Sequence, residues 1–227
     1  VWIVASRPSM GKSAVMCNSS LVIAKEGIPN LIFSYEMPKN TLIDRFLSLE
    51  TKIGITDIRL GLINQKQIDE LSEATKIIDT LPIYIDTNFS GNLSYLTSTI
   101  RRYKRLHDIK VVYLDYIQLM AERSTNATNE LGQISRELKL LANNLGIGII
   151  IFSQLNRLLE VRPDKRPILS DLRQSGNLEE DADVAVFLYR DEYYNKDTRD
   201  KGVLEFIIRK NRNGPVGTIP LMFDPTT

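Results

Sequence analysis

Cysteine is nearly absent from this chain. Cys17 is the only one among 227 residues, which excludes an internal disulfide and a cysteine-ligated zinc cluster and makes a reducing, cytoplasmic setting the expected one. Histidine is as scarce: His107 stands alone, so a histidine-based metal site has no support and an ordinary surface or interface residue is expected. No apolar run approaches the roughly 20 residues that cross a bilayer. No signal-peptide pattern opens the chain, and no membrane association is expected. An excess of one charge is also lacking, with 29 Lys+Arg against 28 Asp+Glu and a net charge of +1. That balance neither points to nucleic acid nor excludes it, because a local basic patch suffices. There is no internal repeat and no linker long enough to separate two domains. An initiator methionine is missing as well, and Val1 already sits in strand-like sequence. The expectation is therefore one domain over residues 1–227, cut from a longer protein.

What is present is a core and a loop. The composition is 43% hydrophobic and 25% charged, enough apolar side chain to bury and too much for a disordered chain. The apolar run Val1 to Ala5 leads into Ser6-Arg7-Pro8-Ser9-Met10-Gly11-Lys12-Ser13, and Ala14 to Lys25 then reads as helix. Strand, loop ending Gly-Lys-Ser, then helix is the context of a phosphate-binding loop. Backbone N–H groups converge there, and the helix dipole adds positive potential. Gly11 allows close approach of the backbone, Lys12 reaches the β- and γ-phosphates, and the Ser13 hydroxyl suits Mg²⁺. The general pattern begins with Gly, whereas position 6 is Ser.

Further along, apolar strands alternate with amphipathic helices. Asn30 to Tyr35, Leu81 to Asp86, Val111 to Leu114, Ile147 to Phe152 and Val184 to Tyr189 read as strands. Thr41 to Lys52, Asn64 to Leu81, a segment marked by Leu93, Leu96, Ile100 and Tyr103, and one marked by Leu131, Ile134, Leu138, Leu141 and Leu145 read as helices. The stretch from Ser124 to Asn129 is polar and loop-like. Several strands are apolar on both faces, which predicts an α/β fold: a mostly parallel twisted sheet flanked by helices on both sides. Val203 to Arg209 and Thr218 to Phe223 read as arms of a C-terminal β-hairpin around Asn211-Arg212-Asn213-Gly214-Pro215, where Asn-Gly is the turn signal. Asn156 to Asn177 is long, charged and rich in Arg.

Three of the strands run out in a polar residue: Glu36, Asp115 and Gln154. Ligands of open α/β sheets bind at the carboxyl ends of strands. If these strands neighbour the first, the three side chains meet the phosphate loop. Asp115 then suits an acid holding Mg²⁺ through water. Glu36 suits a base that orients the water attacking the γ-phosphate. Gln154 suits a hydrogen-bond partner that reports the γ-phosphate.

Six motifs in series resemble the ATPase domain of the DnaB-type replicative helicases. Arg7 to Ser13 is similar to the family's Walker A motif, which starts with a small residue. Ser34-Tyr35-Glu36-Met37-Pro38 resembles its catalytic-glutamate motif, Leu114-Asp115-Tyr116-Ile117-Gln118-Leu119-Met120 its Walker B, and Ser153-Gln154-Leu155-Asn156-Arg157 its sensor. Asp164-Lys165-Arg166-Pro167, Ser170 to Gly176 and Glu180-Asp181-Ala182-Asp183 resemble its DNA-contacting loop and the strand after it. Lys210-Asn211-Arg212-Asn213-Gly214-Pro215 resembles the hairpin that supplies trans-acting basic residues. Two positions depart from the family: Gln174 stands for the usual Glu, and Ser13 for the commoner Thr.

The resemblance implies a RecA-like P-loop ATPase that forms a homohexamer with ATP between subunits. Ser9, Met10, Gly11, Lys12, Ser13 and Ala14 would bind the nucleotide, and Ser13 and Asp115 the Mg²⁺. Lys12, Glu36 and Gln154 would act from one subunit, Lys210 and Arg212 from its neighbour. Arg173, Gln174 and Gly176 would face single-stranded DNA, tracking phosphates rather than stacking bases, since few aromatics lie there. Primase and a helicase loader would meet the full-length protein, through parts this chain lacks. Two other readings stand beside the helicase: a RecA-like DNA-dependent ATPase or recombinase that does not unwind, and a non-catalytic module that keeps the fold.

Overall fold

The computed structural model describes residues 1–88, 92–115, 117, 127–175 and 178–227, with 127, 128 and 173–175 described in their backbone alone. Its centre is an eight-stranded sheet. In chain order the strands are β1 (Trp2–Ser6), β2 (Asn30–Ser34), β3 (Ile83–Asp86), β4 (Val111–Asp115), β5 (Gly148–Gln154), β6 (Val184–Tyr189), β7 (Val203–Asn211) and β8 (Gly217–Met222). The spatial order is β3-β2-β4-β5-β1-β6-β7-β8. The first six strands are parallel, and β7 and β8 add an antiparallel hairpin at one edge. The predicted α/β class, parallel sheet and C-terminal hairpin are all present.

The period-2 alternation of the strands fills two cores, one on each face. Ile3, Leu31, Phe33, Val112, Leu114, Ile149 and Ile151 point to one side. They meet α5 (Leu93–His107) and α6 (Ala127–Leu145) through residues such as Leu96, Ile100, Leu138 and Leu141. Val4, Ile32, Tyr113, Phe152, Val186 and Leu188 point to the other side. There they meet α1 (Lys12–Lys25) and α2 (Lys39–Thr51) through Met16, Cys17, Leu21, Leu42 and Phe46. Each fully buried Leu, Ile, Val or Phe contributes about 1.5–3 kcal/mol of transfer free energy, so the two faces supply most of the driving force for folding. Burial also pushes the Cys17 thiol up to about 12, which leaves it a small inert hydrophobe under the phosphate loop.

Local signals set several boundaries. α4 (Gln65–Thr80) starts at a capping box: the Asn64 side chain accepts from Gln67 N–H, and the Gln67 side chain accepts from Asn64 N–H. α5 starts with Asn92 accepting from Ser94 N–H and ends in Lys104, Arg105 and His107, which suit the negative end of the helix dipole. Short pieces depart from the expected pattern. α3 (Ile55–Leu60), α7 (Leu178–Asp181) and α8 (Asp191–Tyr194) are too brief for periodicity to reveal. The Arg-rich stretch contains two 3₁₀ helices, Arg157–Val161 and Leu169–Ser175. α6 begins at Ala127, inside the stretch expected to be loop. Among the described residues no helix is long and apolar enough to cross a membrane.

Candidate nucleotide site

The loop between β1 and α1 turns because two residues take left-handed backbone angles, Ser9 at φ 65 and Gly11 at φ 89. Gly11 occupies the N-cap of α1 without a side-chain cap, so the first N–H groups of the helix stay directed at the loop. A Cβ at Gly11 would also lie 2.8 Å from the Phe223 ring. The requirement for glycine is therefore both conformational and steric. Ser6 ends β1 almost fully buried; its carbonyl accepts from Leu155 N–H at 3.0 Å. A small residue fits there. Met10 turns its side chain into the core, so only its backbone faces the loop.

Three predicted residues converge. Lys12 Nζ lies 3.2 Å from Asp115 Oδ1, and Ser13 Oγ donates to Asp115 Oδ2 at 3.4 Å. Asp115 is 0% exposed. The Lys12 contact is ionic and not aligned as a hydrogen bond, so Asp115 Oδ1 has no hydrogen-bond donor among the described residues. A buried carboxylate oxygen left in this state beside a hydroxyl fits a hydrated divalent cation. Gln154 stands next to the loop, because β5 pairs with β1 in the register Ser6↔Gln154.

The arrangement corrects two expectations. Only β5, of the three strands in question, neighbours β1; β4 and β2 lie one and two strands further out. Asp115 nevertheless meets the loop, through its contacts with Lys12 and Ser13. Glu36 does not end a strand. β2 stops at Ser34, whose hydroxyl donates to Met37 O at 2.8 Å and accepts from Met37 N–H at 3.3 Å. This turn pushes Glu36 out to an exposed position on the rim of the cavity.

That cavity, of about 420 Å³, is lined by the phosphate loop, Glu36, Gln154 and residues that sequence reasoning missed: Arg45, Arg190, Phe223 and Asp224. The Arg190 guanidinium lies 3.9 Å from the Phe223 ring centroid and donates to Ser9 O at 3.2 Å. No local pattern marks these residues. Arg190 and Phe223 come from the far end of the chain and reach the loop only through the pairing of β6, β7 and β8.

Lys210 and Arg212 lie elsewhere. Lys210 is the eighth residue of β7 rather than part of the hairpin loop, and the turn is 212–216. Asn211 pairs with Val184, and Val184 with Trp2, so both basic residues sit at the start of the parallel strands. The phosphate loop follows their ends, roughly 13 Å further along β1. Arg212 donates to Glu180 O at 2.8 Å and lies 3.6 Å from Asp183. Lys210 donates to Glu180 O at 3.2 Å and to Glu179 O, and burial lowers its pKa.

Of the expected DNA contacts, Arg173 and Gln174 have their backbone in the 3₁₀ helix Leu169–Ser175. Their side chains and Gly176 lie outside the described residues, as do Tyr116 and Gln118 to Met120 of the Walker B stretch. Arg166, from the first motif of that region, makes a bidentate pair with Glu205 at 2.6 and 2.9 Å.

A parallel sheet with a phosphate loop after its first strand, and with an acid and an amide at neighbouring strand ends, defines a P-loop nucleotide-binding domain of the RecA-like class. The sequence matches the DnaB-like helicase C-terminal domain family over residues 1–227, and the chain belongs to that family. It is 41% identical over 225 residues to the replicative DNA helicase DnaB of Geobacillus stearothermophilus, covering 97% of this chain and 50% of the relative. It is 40% identical over 225 residues to the replicative DNA helicase DnaC of Bacillus subtilis strain 168, with the same coverage. The chain thus spans about half the length of these relatives. In structure it is similar to a DnaB-like replicative helicase described with its primase interactions, with a TM-score of 0.94 at 38% identity, covering 99% of this chain and 55% of that one. A second solved structure, of an isolated ATPase domain, is equally similar, at TM-score 0.94 and 38% identity, covering 99% of this chain and 81% of the other.

Proposed function

We propose that residues 1–227 form one ATP-hydrolysing motor domain of a replicative DNA helicase, working as a homohexamer that moves on single-stranded DNA and separates a duplex. The observation that carries this reading is the split of the basic groups. Lys12 and Ser13 converge on Asp115 at one end of the sheet, while Lys210 and Arg212 lie at the other. A centre of this kind is completed by a second copy.

The amides of Ser9 to Ala14 wrap the phosphates, and Lys12 neutralises the β- and γ-oxygens. The Ser13 hydroxyl and the Asp115 carboxylate would hold a Mg²⁺ ion, which when bound would supply positive charge to the phosphate oxygens. Glu36, on the exposed rim, orients the attacking water and accepts its proton. Gln154 hydrogen-bonds the γ-phosphate. Arg190 and Phe223 border the same cavity with a flat surface suited to the base. Lys210 and Arg212 of the neighbouring copy meet the charge that develops in the transition state, a contribution of about 10³–10⁵ in turnover. Hydrolysis then requires assembly. Arg173, Gln174 and Gly176 line the channel and track phosphates. Primase and a loader dock on the full-length protein in the cytoplasm; the solved relative described with its primase interactions supports the first of these.

The test uses the full-length protein. ATP hydrolysis stimulated by single-stranded DNA, together with strand displacement on a forked duplex, is the expected result. Stimulated hydrolysis with no displacement would move the chain to the RecA-like ATPases or recombinases that do not unwind.

A further inference from the structure

Arg7 belongs to the phosphate loop yet turns away from the phosphates. Its side chain is almost fully buried. Nε donates to Glu160 Oε1 at 2.8 Å, and Nη1 donates to the Leu155 carbonyl at 2.7 Å. Leu155 directly follows Gln154, and Leu155 N–H donates to Ser6 O at 3.0 Å. The loop is thus held at three points to the segment leaving β5.

That segment continues to a second clamp. Glu160 lies in the 3₁₀ helix Arg157–Val161, and Arg162 immediately follows it. Arg162 makes a fork with Asp171, Nη2 to Oδ2 at 2.8 Å and Nη1 to Oδ1 at 3.2 Å, and also donates to Arg166 O at 3.1 Å. Asp171 Oδ2 accepts from Ile168 N–H at 2.9 Å as well. Asp171 belongs to the 3₁₀ helix Leu169–Ser175, which carries Arg173 and Gln174. Planar two-point pairing is the geometry in which an Arg–carboxylate contact transmits orientation as well as charge.

We propose that these two clamps, Arg7–Glu160 and Arg162–Asp171, are the mechanical relay between the phosphate loop and the 3₁₀ helix Leu169–Ser175, with all four acting as positioning residues. A movement of the loop on gaining or losing a γ-phosphate displaces the helix Arg157–Val161 through Glu160. Arg162, which directly follows that turn, moves with it, and the fork with Asp171 shifts the helix whose backbone includes Arg173. By reciprocity, DNA bound at Arg173 biases the loop toward its hydrolysing arrangement. Neither Glu160 nor Asp171 lines the nucleotide cavity, so the relay is separable from chemistry. The inference rests on the proposed action on single-stranded DNA.

The experiment compares full-length wild type with Glu160→Gln, Asp171→Asn and their combination. ATP turnover is measured with and without an oligothymidine strand, alongside kcat and KM for ATP and the affinity for that strand. The relay predicts that DNA-free kcat and KM stay within about twofold, while the stimulation factor falls about fivefold or more, the lower end of ordinary coupling between sites. The double variant should lose no more than the worse single one, since both break one chain. The exchange Arg162→Asp with Asp171→Arg should restore part of the stimulation, including where a single change destabilises the fold; no restoration by a folded exchange variant overturns the relay. Unchanged stimulation in both single variants overturns the relay, as does an equal fall in basal and stimulated rates. A wild-type protein that neither binds the strand nor responds to it overturns instead the proposed function.

Discussion

Single atoms decide what the phosphate loop tolerates. Gly11 combines φ 89 with a Cβ position 2.8 Å from the Phe223 ring. An L-residue in that region costs about 1–2 kcal/mol from backbone strain alone. Gly11→Ala should therefore lower stability by at least that amount in urea denaturation and weaken ATP binding as the helix N-terminus shifts. In a Phe223→Ala background the clash is gone but the strain remains, so the same Gly11→Ala change should cost less there than in wild type without becoming neutral. Stability of Gly11→Ala within about 0.5 kcal/mol of wild type would contradict both causes. Ser9 shares the left-handed conformation at φ 65 without being glycine; a short polar side chain is strained less there than a branched one would be. Glu36 sits at the other extreme, exposed and outside any strand. Its packing role is small, so Glu36→Gln should leave folding and ATP binding unchanged while turnover by the assembled protein falls about 10²–10⁴-fold. Wild-type hydrolysis in that variant would remove Glu36 from the mechanism.

At the scale of elements, the 3₁₀ helix Arg157–Val161 is anchored by the buried Leu159 and by a charge. The hydrogen bond from Arg7 holds the Glu160 carboxyl below the ordinary glutamate value, with further help from Tyr194, whose hydroxyl lies 3.4 Å away, and from Arg157. A carboxylate whose folded pKa is depressed contributes stability above its unfolded pKa and loses it as pH falls through the folded value. The contribution should therefore be intact at neutral pH and fade below about 4.5, the ordinary value. Urea midpoints measured from pH 6 to pH 3 should drop less steeply in Glu160→Gln than in wild type; parallel curves would show that the pair carries no linkage. Legibility in the sequence follows the same division by element. Strands such as Val111–Asp115 and Gly148–Gln154 are readable because both faces are buried, and α4 because Asn64 and Gln67 cap it. The two 3₁₀ helices are not, since each buries a single leucine, Leu159 or Leu172, and is otherwise held by Arg7–Glu160 or Arg162–Asp171, which leaves no apolar period to read. The site divides likewise. Lys12, Ser13 and Asp115 each stand in a short motif and meet in space. Arg190 and Phe223 reach the cavity only through sheet order, which local sequence does not encode, and Glu36 is displaced from its strand by a hydroxyl turn at Ser34.

For the whole molecule, the sheet places the phosphate loop and the basic pair Lys210 and Arg212 at opposite ends of its strands. The carboxyl ends of β1, β4 and β5 present Ser6, Asp115 and Gln154, and the hairpin strand β7 enters from the opposite edge with Lys210 and Arg212. Rotating side chains cannot close a gap of roughly 13 Å along the strands as well as the lateral offset of two strands. Arg212 donates to Glu180 O and lies beside Asp183, contacts that fix the guanidinium away from the phosphate loop of its own chain; the proposed trans role follows from that placement. The consequence is a complementation experiment. Full-length protein carrying Lys12→Ala should not hydrolyse ATP, nor should protein carrying Arg212→Ala. The two defects lie in different halves of the centre. When the two are mixed and allowed to reassemble, some interfaces pair an intact phosphate loop from one copy with an intact Arg212 from the other. Those interfaces should turn over ATP, so the mixture should regain a measurable fraction of the wild-type rate, rising with time as subunits exchange. If both residues acted within one copy, every subunit in the mixture would still be defective and no activity would return at any ratio.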